Sequence, residues 1–277
     1  MNIDNSAANA FRDCPTLYYN EYVRNQTGLQ HIKYPGEEYN SLQLGDREHQ
    51  LLQEHYSKKS IYPPSPIEPL ELEAQLIFEA YKVYYPEEPF KVVDIENTFC
   101  IPLPNSHHFY TGKIDLTVIP EDSVNLPHYE LDIYDHKTQT RSSKMNSPQK
   151  WAMRNQATLY LWAASKLYPE NTIRSFWVNA LTRPSEKMVK GPSFVEGRQK
   201  LERTDEQIKY ALRDITLIAD QIEMYQEKFG DKEPWPRNQE NCIKWGQCEF
   251  YQPCLYGWDG EVQQKYEPKT PYLHIIQ

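Results

Sequence analysis

Asp135 and Lys137 lie two residues apart near the end of YELDIYDHKTQ, residues 129–139. In an extended chain, residues two apart share a face. That face here runs Leu131, Ile133, Asp135, Lys137, so two apolar positions lead into a carboxylate and an amine. Such a strand has a body suited to a core and a tip suited to chemistry. The preceding strand candidate contains GKIDLTVI, with Asp115 in its middle. A hairpin of the two would set Asp115 beside Asp135. Two carboxylates on adjoining strands repel unless a cation sits between them, and hard oxygen ligands select Mg²⁺ or Mn²⁺. Lys137 would point into the same space, where it can hold an attacking water or neutralise charge building on a phosphate. A bare D-x-K tripeptide is common, however, and an exposed ladder of charges closing a hairpin is the bland alternative.

The elements that must position these residues follow from periodicity and punctuation. Residues 41–57 (SLQLGDREHQLLQEHYS) read as a helix. The segment YPPSPIEP breaks the chain, because proline cannot continue a helix. Residues 69–84 have helical apolar spacing at Leu72, Leu76, Ile77, Ala80 and Tyr84. Strand candidates follow at 91–103, 109–119 and 128–136, the last two joined by the turn-rich IPEDSVNLP. A helix is expected at about 148–167, opened by Ser147-Pro148, then a strand at 172–181. A long helix at about 199–229 carries the stripe Ile208, Leu212, Ile215, Ile218, Ile222 and stops at Gly230. From 231 on the chain is aromatic, irregular and rich in Cys and Pro. This order reads as an α/β or α+β core with a mixed sheet.

At 277 residues the chain can bury a substantial core, as one large domain or two small ones. Nothing in it approaches the roughly 20 apolar residues of a membrane span, and its start lacks the basic and apolar regions of a signal peptide. A soluble, cytosolic protein is expected. The net charge of −9 argues against a general nucleic-acid binder, but its distribution does not. Between Asp135 and Glu170 there is no acidic residue, while Lys137, Arg141, Lys144, Lys150, Arg154 and Lys166 all fall there. A local basic surface suits a polyanion delivered to one place.

Taken together, GKIDLTV, then YELDIYDHKT, then a helix bearing QATLY resemble the PD-(D/E)xK nuclease superfamily. Within it the resemblance is to the RecB-like exonuclease branch, which includes the CRISPR adaptation exonuclease and AddB-type iron–sulfur nucleases. The resemblance implies a restriction-endonuclease-like α/β core, a mixed central sheet flanked by helices, in a single nuclease domain over 1–277. It assigns metal binding to Asp115 and Asp135, catalysis to Lys137, and a position over the site to Gln156 and Tyr160, which share a helix face at i, i+4. The branch's G-x-x-x-H helix matches Gly45 and His49 in LGDREHQLL, making His49 a further metal ligand. The backbone carbonyl of His136 would complete the coordination. Glu96 is an additional candidate acid. Arg141, Lys144 and Arg154 would hold a nucleic-acid backbone, and Trp151 is a candidate for stacking on bases.

The cysteines bear on the same resemblance. Of five, Cys14 lies near the start and Cys242, Cys248 and Cys254 near the end. Some branch members join their termini with a [4Fe–4S] cluster on one early and three late cysteines, which here would tie 1–40 to 231–277. The tail reads C-x5-C-x5-C, whereas the branch pattern is C-x2-C-x5-C. Zinc or free buried thiols are the alternatives. Cys100 falls inside a strand and is expected in the core.

The function implied is a metal-dependent DNA nuclease, with an exonuclease favoured, acting on single- or double-stranded ends in recombination, repair or phage DNA processing. The alternative is a weakly catalytic module that binds DNA ends in a larger complex. A recombinase or helicase partner and a bacterial or phage-infected host are family-level expectations. Oligomeric state, polarity and DNA-versus-RNA preference are not encoded in any motif.

Overall fold

The computed structural model describes residues 1–28, 39–126, 128–140, 151–183, 198–231, 234–243 and 247–268. It divides into two units: Met1–Ile32, Phe99–Gly112 and Lys209–Gln277 form the first, and Lys33–Thr98 with Lys113–Ile208 the second.

The first unit begins with β1 (Asn2–Ile3) and α1 (Asn5–Asp13). The Asp4 carboxylate caps α1 by accepting from Ala7 N at 2.7 Å, satisfying one of the donors a helix start leaves open. A short α2 (Pro15–Tyr18) follows, then β2 (Gln26–Gly28). In the same unit, Trp235 is 1% exposed and sits among Phe11, Tyr18, Tyr19 and Tyr225. Aromatic burial of this size is what a small unit needs in place of a large aliphatic core.

The second unit contains α3 (Ser41–Ser57) and α4 (Glu68–Tyr84). Asn40 opens α3 with a capping box: its side chain accepts from Gln43 N and the Gln43 side chain accepts from Asn40 N. The helices pack through Leu44, Leu51 and Leu52 against Leu70, Ile77, Phe78 and Tyr81. Of the apolar spacing expected on α4, only Ile77 is buried; Leu72 and Leu76 are 58% and 55% exposed. Burying Leu70, Ile77 and Phe78 contributes roughly 2 kcal/mol each, so that face sets the orientation of α4.

Two strands pass through both units: β3 (Phe90–Pro102) and β4 (Phe109–Pro120). They pair with each other, and in the first unit β1 pairs in parallel with β4 at Phe109 and Tyr110. Gly112 admits the Phe99 ring; a Cβ there would lie 2.6 Å from Phe99 Cζ. In the second unit β4 pairs antiparallel with β5 (Glu130–Thr140), β5 parallel with β6 (Thr172–Arg183), and β6 antiparallel with β7 (Arg198–Leu201). The sheet is therefore mixed. Between β5 and β6 the chain crosses through α5 (Asn155–Leu167), as parallel neighbours require.

Four sequence expectations need correction. The strand expected at 128–136 runs on to Thr140, because β6 supplies a parallel partner as far as Thr140↔Arg183. Lys137 is thus inside a strand rather than beyond its tip. The helix expected at 148–167 is interrupted: Trp151 and Ala152 are helical, Met153 and Arg154 are not, and the continuous helix runs from Asn155; residues 141–150 lie outside the described set. The helix expected at 199–229 divides into β7 and α6 (Asp205–Phe229), because Thr204 and Gln207 cap each other across the break. Cys100 is exposed. Glu96 sits at φ 53, a left-handed conformation that interrupts β3. Inward positions are even before it (Phe90, Val92) and odd after it (Phe99), which turns Cys100 outward.

The remaining elements belong to the first unit: α7 (Tyr251–Tyr256), α8 (Gly260–Gln263) and β8 (Tyr266–Pro268), the last pairing antiparallel with β2. Phe250, Val262 and Tyr266 form a small core there. No helix among the described residues is long and apolar enough to cross a membrane.

Candidate active site

Five elements of the second unit bring their polar side chains together. β4 supplies Lys113 and Asp115, which share a face by the period of two. β5 supplies Asp135 and Lys137 in the same way. The register Leu116↔Tyr134 sets Asp115 and Asp135 next to one another on neighbouring strands. The N–H of His136 donates to Asp115 Oδ2 at 2.7 Å, which fixes the carboxylate. Lys137 Nζ donates to Asp135 Oδ1 at 2.9 Å, and Gln156 Nε2, from the first turn of α5, donates to the same oxygen at 3.0 Å. Asp135 Oδ2 is also 2.9 Å from Lys137 Nζ but lacks a donor in hydrogen-bonding geometry among the described residues.

Across from these, α3 presents His49. Its Nδ1 is 3.6 Å from Glu96 Oε1 and 3.7 Å from Asp115 Oδ2. These three side chains offer donors all within 4.8 Å of one another. Glu96 reaches this place because of its left-handed backbone, a strain of the order of 1 kcal/mol or more that recurs at functional sites. Lys113 forms an ion pair with Glu96.

The electrostatics have one theme, an excess of carboxylates. Burial raises the Asp115 carboxyl to about 6; His49 opposes this and Asp135 adds to it. Burial would draw His49 down, but Asp115 and Glu96 outweigh it and His49 is raised. Glu96 is lowered, because hydrogen bonds from His49 and Lys113 overcome its own burial. Lys137 is raised in spite of burial by Asp135 and Asp115. One imidazole, three carboxylates and a buried carboxylate oxygen short of donors make a donor set that suits a hard divalent cation.

Of the other residues singled out in the sequence, Tyr160 packs its ring edge-on against Phe176 of β6. The His136 side chain, on the opposite side of β5 from Asp135, packs edge-on to His49 at 6.1 Å between ring centres and is stacked on Tyr56, with Nδ1 2.9 Å from Asn179 Nδ2. Trp151 is 2% exposed and covered by the Arg154 guanidinium 4.5 Å from its ring centre, so it offers no face to a base. Arg141 and Lys144 lie outside the described residues. Lys113 had no assigned role in the sequence, although the spacing logic that joins Asp135 to Lys137 also joins Lys113 to Asp115. Glu96 was legible only as a nearby acid, since its position depends on a backbone conformation that glutamate seldom adopts.

The first unit holds the four cysteines, Cys14, Cys242, Cys248 and Cys254, all half-buried. Burial pushes Cys248 up to about 11, and Cys254 and Cys242 add to that; Cys254 is raised by burial, with Cys14 and Cys242 contributing. Cys14 Sγ accepts from Asn238 N at 3.3 Å, Cys242 Sγ lies 3.9 Å from Asn238 O, and Cys248 N donates to Cys242 O at 2.8 Å, so these residues gather in one place. They do not close as tightly as a single ion requires: a tetrahedral zinc with bonds of about 2.3 Å needs sulfurs about 3.8 Å apart. Among the described residues, the groups with donors inside 4.8 Å contain no cysteine.

No curated protein sequence matches the chain. Among solved structures, a crystal structure described as a "Putative exonuclease" from Eubacterium rectale is similar over 97% of this chain and 90% of that one, at 13% identity and a TM-score of 0.48. The sequence profile of the PD-(D/E)XK nuclease superfamily matches residues 71–254. That span holds the hairpin with Asp115, Asp135 and Lys137, the Gln156 helix and three of the four clustered cysteines, and the chain belongs to the PD-(D/E)XK nuclease superfamily.

Proposed function

We propose that this chain is a metal-dependent deoxyribonuclease that degrades DNA from its ends. The observation that carries the reading is the meeting of His49, Glu96 and Asp115 with the Asp135–Lys137–Gln156 group. His49, Asp115 and Asp135, with Glu96 and the backbone carbonyl of His136, would hold Mg²⁺ or Mn²⁺; the imidazole favours Mn²⁺. Bound there, the ion makes water a stronger nucleophile and draws charge from a phosphate oxygen.

The chain's own residues perform the positioning. Lys137 Nζ, beside Asp135, orients the attacking water and faces the negative charge that grows on the phosphate. Gln156 holds Asp135 from the helix side, so its carboxylate need not reorganise during the reaction. Lys113, at the outer side of Glu96, and Arg154 supply positive charge for the neighbouring backbone phosphates, contacts that position a strand without reading its sequence. Arg141 and Lys144 belong to the same basic stretch. Gly45 supports this placement: it sits one turn before His49 on the same face, and a Cβ there would meet nothing within 4 Å. A glycine inside a helix costs about 1 kcal/mol relative to alanine, which a close approach of substrate backbone would explain.

In the first unit, Cys14, Cys242, Cys248 and Cys254 are assigned to a [4Fe–4S] cluster that fastens the chain's beginning to its end. A recombinase or helicase that delivers ends is the partner class that fits such an enzyme.

The test is degradation of end-labelled linear DNA, single- and double-stranded, with Mn²⁺, Mg²⁺ or EDTA, beside a closed circle and the Lys137→Ala variant. Loss of linear DNA that needs metal and Lys137, with the circle spared, is expected. Cutting of the circle would make the enzyme an endonuclease. Intact DNA in every lane, with folded protein holding its metal, would leave a module that binds ends without cutting.

A further inference from the structure

The first unit contains a second group of metal donors, separate from those already described. The turn between β3 and β4 carries His107 and His108, and one face of α6 carries Asp220 and Glu223 at i, i+3. His107 Nε2 lies 2.8 Å from Glu223 Oε2, His108 Nε2 lies 2.9 Å from Asp220 Oδ1, and His108 Nε2 is 3.9 Å from Glu223 Oε2. His107, His108 and Glu223 offer donors all within 4.8 Å of one another.

From this geometry we propose that His107, His108, Asp220 and Glu223 form a zinc site that clips the β3–β4 turn to α6. Two imidazoles and two carboxylates are a four-coordinate set of borderline and hard donors, which zinc accepts in tetrahedral geometry. With bonds of about 2.0–2.1 Å, tetrahedral donors stand about 3.3 Å apart. The three pairs at 2.8, 2.9 and 3.9 Å need to shift by well under 1 Å, whereas the Asp220 carboxylate, which touches His108 but stands outside the 4.8 Å group, has to swing in as the fourth ligand. The charges also balance, two carboxylates against one divalent ion.

The scaffold is set before any ion arrives. His108 is fully buried, its N–H donates to Ser106 Oγ at 3.1 Å, and its carbonyl accepts from Leu103 N at 2.9 Å. Its Nδ1 is 3.1 Å from the Met1 amino group, which leaves Nε2 as the atom facing α6. The opposite side is open, with His107 66% and Glu223 39% exposed, so an ion can enter and these two side chains can adjust. Each close pair is an imidazole–carboxylate contact; to bind the ion, each ring presents an unprotonated Nε2 and keeps its proton on Nδ1, and beside His108 the Met1 amino group releases a proton to solvent and accepts from that Nδ1.

The test is a cobalt(II) titration of the full chain beside the His107→Ala/Glu223→Gln variant, with zinc displacement at the end point. Both altered side chains are exposed and lie outside the nuclease site, and circular dichroism is to be recorded on the variant to establish that it is folded. The parent should bind one more equivalent than the variant. The extra absorption should consist of weak visible bands without the thiolate-to-cobalt bands that the cysteines would give, and zinc should abolish it. Zinc should also raise the parent's melting temperature more than the variant's. Equal uptake by parent and variant, or extra uptake that carries thiolate bands, would overturn the assignment.

Discussion

The N–H of His136 donates to Asp115 Oδ2 at 2.7 Å, so the backbone of the strand that carries Asp135 and Lys137 also orients the carboxylate of its neighbour. The two acids cannot drift apart without breaking a buried, charge-assisted hydrogen bond, a loss of about 1.5–3 kcal/mol. The site is rigid where the sheet builds it. Where it opens outward, it depends on side chains of α3 and β3.

Gly45 offers a clean separation of stability from function. Gly45→Ala should raise the urea midpoint, with a gain of about 0.5–1 kcal/mol, because alanine is the better helix former and its Cβ meets nothing. DNA cleavage should fall by roughly tenfold as the methyl obstructs the substrate backbone. Cleavage at the parent's rate would show that no strand passes over this turn.

Glu96 should show the opposite trade. Glu96→Gly relieves a left-handed backbone at φ 53, worth about 1–2 kcal/mol, and loses ion pairs with Lys113 and His49 worth about 1 kcal/mol together. The metal-free variant should therefore be as stable as the parent within about 1 kcal/mol. Its Mn²⁺ affinity, measured by calorimetry, should fall by about tenfold or more. An unchanged affinity would remove Glu96 from the metal site.

Acid stability should report the pair between α3 and α4. Glu71 accepts from Arg47 through both oxygens and from Ser65 N and Gln75, which holds its carboxyl down at about 2 against an ordinary 4.5. A folded-state value below the unfolded one adds stability that is fully present above about 4.5 and lost as pH falls toward 2. Glu71→Gln should cost on the order of 2 kcal/mol at pH 7, allowing for solvent around the carboxylate, and the gap should close on acidification. A gap independent of pH in urea unfolding would mean that packing, not charge, joins the helices here.

The cysteines predict their own contents. Chain purified without oxygen should contain iron and acid-labile sulfide, and Cys14→Ser or Cys254→Ser should lose both. The variants should also melt at lower temperature, since binding energy at such a site is folding energy. Zinc without iron in the parent would replace the cluster with a single ion.

The sequence by itself determined the parts that rest on short-range order. A period of two placed Asp135 with Lys137, a period of 3.6 set Gln156 and Tyr160 on one helix face, and Asn40 with Gln43 opens the His49 helix where the pattern said it would begin. Tertiary structure decided what depends on partners distant in the chain. β5 runs past Lys137 because β6 lies parallel to it and supplies hydrogen bonds to Thr140. β7 exists because β6 has an open edge, and without that edge RQKL reads equally well as a first helical turn. α4 buries Leu70 and Phe78 rather than Leu72 and Leu76, a choice made by the surface of α3. Glu96 enters the site through one residue of left-handed backbone, and His107 meets Glu223 across more than a hundred residues of chain. Local sequence encodes propensity and period; which faces are covered, and which donors meet, is set only when burial and pairing are resolved over the whole chain.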